Sequence, residues 1–148
     1  IDITLLSMKA SSKPSFRAEV YRHRDGCVVL IKYKLIWIPR RRREVLIGAV
    51  ADRLDQLLRE KCKELEIKIE HLAIQPDHLH LFIEAPPILA PSQIAFRLKG
   101  FTSHALRKEF PQLKRMPSMW TTSYFCSTAG AVSQDVIKKY IEAQSTRA

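Results

Sequence analysis

The stretch from 67 to 85, IKIEHLAIQPDHLHLFIEA, is two alternating runs joined by Pro-Asp. Apolar residues recurring at every second position make one buried face of a strand, and Pro-Asp is turn chemistry. So short a connection permits only an antiparallel return, so the pattern demands a β-hairpin. A lone hairpin is marginal in water and needs further strands or helices to cover its apolar side. The rest of the chain must supply that cover.

The flanking segments supply it. CVVLIKYKLIWIP (27–39) is β-branched and aromatic and reads as a strand closed by proline. Arg40, Arg41, Arg42 and Arg43 follow as a basic turn. Leu46, Val50, Leu54, Leu57, Leu58, Cys62 and Leu65 then recur at helical spacing. After the hairpin, PPILAPS is a loop, and Pro91 or Ser92 starts a helix reaching toward Phe110, weakened at Gly100. MWTTSYFCST (119–128) reads as a fourth strand. AGAVS is a small-residue linker, Ser133 a good N-cap, and Asp135 suits the first turn of a last helix, 133–146. The order is β-α-β-β-α-β plus a terminal helix. This predicts an α+β, ferredoxin-like (RRM-like) antiparallel sheet with helices on one face. Residues 1–24 read as an N-terminal arm, and 25–148 as one catalytic domain.

Twenty-five Lys and Arg against fifteen Asp and Glu leave a charge of +10 on 148 residues. Such a balance points to a polyanionic partner, with nucleic acid the default and a solvated surface the plain alternative. No apolar run approaches the ~18 residues of a membrane span, and no signal-peptide pattern opens the chain. Cys27, Cys62 and Cys126 carry no CxxC spacing and read as thiols of a reducing cytoplasm.

The chemistry centres on the hairpin's second strand. His78 and His80 project from one side, while Leu79, Leu81 and Ile83 fill the other. Two adjacent imidazoles can hold a divalent cation with coordination positions left open; two half-exposed histidines on an open sheet face are the other reading. A third alternating histidine, as in histidine-triad hydrolases, is replaced by Phe82. His71 and His104 lie in other elements and read as surface or core residues. On the last helix, Val136, Ile137, Tyr140 and Ile141 form an apolar stripe, with Gln144 one turn beyond Tyr140. A phenol is a weak nucleophile at an ordinary pKa of about 10. It would need a metal-polarised phosphate opposite it.

PDHLHLFIEAPP, PSQIAFRLKGFTSHALRKEFP, MWTTSYF and GAVSQDVIKKYIEAQ together resemble the single-tyrosine transposases of the HUH superfamily. These serve small prokaryotic insertion sequences that move as single-stranded DNA. HUH denotes His, a bulky apolar residue, His. The resemblance spans residues 33–144, with its two signatures in the same order. It implies that His78, His80 and Gln144 are ligands of Mg²⁺ or Mn²⁺ and that Tyr140 is the nucleophile. Tyr140 would form a 5′-phosphotyrosine, with no nucleotide cofactor. It implies a cytoplasmic homodimer that binds hairpin ends of single-stranded DNA, with active sites shared between subunits and a hinge at Ala129-Gly130-Ala131. Arg40, Arg41, Arg42, Arg43, Arg97, Lys99, Arg107 and Lys108 are the basic positions available for DNA. Trp120, Tyr124 and Phe125 could stack on bases, although core packing suits at least two of them. The family often has an aromatic within the basic turn, where this chain has only arginine, and residues 1–24 match nothing in it.

Two further classes compete. A non-catalytic nucleic-acid-binding module on the same sheet would bind independently of metal. Replication initiators and relaxases are larger and often carry a second tyrosine, where KKYIEAQ offers one. A domesticated repeat-processing relative shares every one of these motifs.

Overall fold

A computed structural model describes residues 31–128 and 134–144. Its elements run β1 (Ile31–Trp37), α1 (Gly48–Glu64), β2 (Lys68–Gln75), β3 (His78–Ala85), α2 (Pro91–Glu109), β4 (Phe125–Thr128) and α3 (Gln134–Gln144). Short 3₁₀ turns at Arg40–Arg42 and Pro111–Arg115 join them. The strands form an antiparallel sheet in the order β2-β3-β1-β4, the ferredoxin-like arrangement expected from the element order. The N-terminal arm, the first four residues of the expected 27–39 strand, the 129–133 linker and the Ser133 cap lie outside the described residues.

Alternation decides what each face holds. Leu35 and Trp37 of β1 and Leu79, Leu81 and Ile83 of β3 are fully buried against Leu54, Leu57 and Leu58 of α1 and Ile94 and Leu98 of α2. Each such side chain contributes about 1.5–3 kcal/mol by leaving water. The register sets Leu81 opposite Leu35, and His80 opposite Ile36 on the other face. Gly100 does not interrupt α2, and a Cβ there would meet nothing within 4 Å. Pro91 opens that helix, and the Gln93 side chain accepts the Ala90 N–H at 2.8 Å. Cys62 is buried in the core, which pushes its thiol up to about 12; Cys126 is half-buried.

The fourth strand is shorter than its sequence suggests, beginning at Phe125 rather than at residue 119. Met119 and Trp120 are apolar because they enter the core, not because they alternate in a ladder. Trp120 meets Trp37 edge-on at 6.0 Å, donates its indole N–H to Thr102 at 3.1 Å, and makes only an isolated bridge with Pro39. The Lys99 ammonium donates to the Thr121 and Ser123 carbonyls at 2.7 and 3.1 Å, tying this segment to α2.

The two faces of β3 predict opposite responses to truncation. Leu81→Ala should lower unfolding free energy by about 2–5 kcal/mol in urea titrations. His80→Ala, one residue away on the other face, should cost under about 1 kcal/mol. Equal losses would contradict the division of faces.

Candidate active site

His78 and His80 stand side by side on the sheet face opposite α1 and α2, their ring centroids 5.1 Å apart. His80 lies between Ala73 of β2 and Ile36 of β1, and His78 opposite Gln75. The turn before β3 contributes a third group. Asp77 Oδ1 is 2.8 Å from His78 Nδ1. A carboxylate only accepts, so Nδ1–H donates and Nε2 is the nitrogen left without this partner. Arg42 donates to the other Asp77 oxygen at 2.6 Å. Burial alone would raise the Asp77 carboxyl; the bonds from His78 and Arg42 and the Arg42 charge outweigh it and hold the group below its ordinary range. Burial, followed by the nearby His78, Lys34 and His71, lowers the His80 pKa and keeps that imidazole neutral.

This donor set fits a divalent cation. The lowered His80 keeps one imidazole free to coordinate, and a carboxylate behind the other ring is the outer-shell arrangement that orients metal-binding histidines. Among the described residues, no third His, Cys, Asp or Glu joins them.

The terminal helix covers the same face. Ile137 and Ile141 of α3 bury themselves against Ile36 and Ile38, with Phe125 and Tyr140 at the edge. Val136, expected in the apolar stripe, is instead 47% exposed. Helical geometry then sorts the remaining side chains onto two flanks. Asp135, Lys138 and Glu142 point to the β3 side. With Arg42, His78 and His80 they line a cleft of about 320 Å³. Tyr140 and Gln144 point to the β4 side. Tyr140 packs on Phe125 with ring centroids 5.6 Å apart, and both side chains reach Ser123 Oγ, at 3.2 and 2.9 Å. Phe125 pairs with Ile36, which pairs in turn with His80, so β1 lies between the two groups. The fold thus assembles two polar clusters on one sheet face: the histidines with Asp77, and the tyrosine with Gln144.

A family model described as "Transposase IS200 like" matches residues 27–144. The chain belongs to the IS200-like transposase family. It is 34% identical over 122 residues to the ISDra2 transposase TnpA of Deinococcus radiodurans, covering 80% of this chain and 87% of that protein. It is 31% identical over 117 residues to the transposase for insertion sequence element IS200 of Salmonella typhimurium, covering 75% and 77%. The crystal structure of a putative transposase from Deinococcus radiodurans superposes with a TM-score of 0.75 at 32% identity, over 80% of this chain and 94% of that one.

The basic positions of this IS200-like transposase divide by environment. Arg41, Arg43, Arg97 and Lys108 are exposed. Arg40 donates to Ser118 at 3.3 Å, Arg107 to the Met116 carbonyl at 2.9 Å, Arg42 to Asp77, and Lys99 to the two carbonyls before β4. Burial lowers Lys99 to about 8. Arg107 and Lys108, with His104 and Lys114, line a groove of about 560 Å³ along α2. Trp120 is a core residue, Tyr124 is half-buried, and among the described residues the large aromatic that faces water is Phe96, 81% exposed. His71 and His104 are both exposed.

Asp77 and Ser123 escaped the sequence reading. A carboxylate immediately before the first histidine was a usable signal for Asp77, although turn chemistry accounts for it equally well. A serine inside an aromatic run offered no comparable signal.

Asp77→Ala should weaken Mn²⁺ binding about 10–100-fold by calorimetry, without unfolding the protein. In the wild-type chain, burial and the nearby His78, Lys34 and His71 hold His80 below an ordinary histidine. An NMR titration should therefore find the His80 imidazole protonating below pH about 6.5, the value of a free imidazole. A midpoint at or above that of a free imidazole would contradict this environment.

Proposed function

We propose that this chain cleaves and rejoins single-stranded DNA at the ends of an insertion sequence, through a 5′-phosphotyrosine formed by Tyr140. The observation that carries the reading is the oriented pair His78 and His80, backed by Asp77, on the same sheet face as a helix bearing Tyr140 and Gln144. A non-catalytic binding module would need none of these five groups.

His78, His80 and Gln144 would hold Mg²⁺ or Mn²⁺, through both imidazoles and the Gln144 carboxamide oxygen. The bound ion would supply Lewis-acid polarisation of the scissile phosphate. Tyr140 Oη attacks phosphorus, the bond to the 3′ oxygen breaks, and the phenolic proton is balanced by the one taken up at the new 3′-hydroxyl. The phosphotyrosine retains the phosphodiester's energy, so a 3′-hydroxyl can reverse the step without a nucleotide. Phosphate contacts hold the strand. Arg107, Lys108 and Lys114 in the α2 groove, with exposed Arg41, Arg43 and Arg97, would bind the backbone of a hairpin end. The DNA of the prokaryotic cytoplasm is the substrate pool.

Tyr140 and Gln144 sit on the β4 flank of α3, across β1 from the histidines of their own chain. This separation supports a homodimer in which α3 of one subunit completes the histidine site of the other. Mixing tests it. Tyr140→Phe retains a histidine site, and His78→Ala with His80→Ala retains a nucleophile. Each alone should form at most about a thousandth of the wild-type covalent complex with a labelled single-stranded hairpin and Mg²⁺. Mixed and allowed to exchange subunits, they should recover a substantial fraction. Activity in either variant alone would contradict the assigned roles, and no recovery on mixing would contradict the shared site.

A further inference from the structure

The reactive atoms of α3 are both bound to one hydroxyl. Ser123 Oγ donates its single proton to Gln144 Oε1 at 2.9 Å. With that proton used, the 3.2 Å contact to Tyr140 requires the phenol to donate to Ser123. Gln144 is 4% exposed, so its carbonyl oxygen has little access to water and depends on this bond. The serine itself is firmly mounted: its own carbonyl accepts from the Lys99 ammonium at 3.1 Å, which ties the segment before β4 to α2.

We propose that Ser123 is a positioning residue that holds α3 in a resting dock. It engages the Tyr140 hydroxyl and occupies the Gln144 oxygen until the helix leaves for a histidine pair. This rests on the roles proposed for Tyr140 and Gln144. A serine that merely packed the loop would have no cause to engage the nucleophile and the third ligand together. In the docked state, removing the Tyr140 proton costs its bond to Ser123, and Gln144 Oε1 must exchange a hydroxyl for the metal. Both steps become available only on release. The contact is therefore a brake on the nucleophile, set apart from the histidine half-site by the width of β1.

Hydrogen exchange on the full chain separates this claim from the chemistry. In Ser123→Ala, amides of α3 (134–144) should exchange about tenfold faster than in the wild type, the scale of two lost hydrogen bonds. Amides of β1 and β3 should keep their protection, and Ser123→Thr, which retains the hydroxyl, should restore that of α3. Unchanged α3 protection in Ser123→Ala would overturn the proposal. The variant should also form the covalent DNA complex faster; an unchanged or slower rate with faster α3 exchange would overturn the resting role. If neither wild type nor variant forms a covalent complex, the Tyr140 chemistry fails, and exchange still decides the dock.

Discussion

The ladder between β1 and β3 places Leu35 beside Leu81 and Ile36 beside His80. Burying Leu79, Leu81 and Ile83 under two helices leaves the alternate positions no choice but the opposite face. A slip of one residue would drive both imidazoles into the core and two leucines into water. The hydrophobic effect acting on the leucines therefore aims the histidines. Asp77 then selects which nitrogen of His78 is free, and partial burial keeps His80 neutral.

The face opposite α1 and α2 is not bare. Ile36 and Ile38 make a small second core with Ile137 and Ile141, enough to seat α3 directly beside the histidine cleft. That contact line divides the helix. One flank gives the cleft Asp135, Lys138 and Glu142, and the other gives Ser123 the tyrosine and glutamine. The same packing that seats α3 on the histidine face keeps Tyr140 on the far flank from the histidines. The proposed shared site in a dimer and the proposed serine-held resting state both rest on this one arrangement.

Much of this was legible in the amino-acid order. Period-two alternation in β2 and β3 and the helical spacing from Leu46 to Leu65 gave the element order. The sheet topology and the exposed histidine face followed from that order. The transposase family was visible in His78, His80, Tyr140 and Gln144 together. Other features were not legible, for physical reasons. Met119 and Trp120 have strand composition, yet they serve the core from an irregular segment held by Lys99. The stripe on α3 marks which side is apolar but not which way the helix runs across the sheet, so the flank chosen by Tyr140 could not be read. Val136 joined the stripe by composition and lies outside it in space. Ser123 matters through partners 17 and 21 residues away, and no local pattern encodes such a contact.

The central claim is that the phenol of Tyr140 takes the DNA phosphate. Its most direct test is peptide mapping of the covalent complex. The protein is incubated with single-stranded hairpin DNA and Mg²⁺, digested with nuclease and protease, and the nucleotide-bearing peptide is located by mass spectrometry. The account predicts a phosphonucleotide adduct on Tyr140, within the α3 peptide containing YIEAQ. An adduct on any other residue, or cleavage with no protein-linked intermediate, would contradict it.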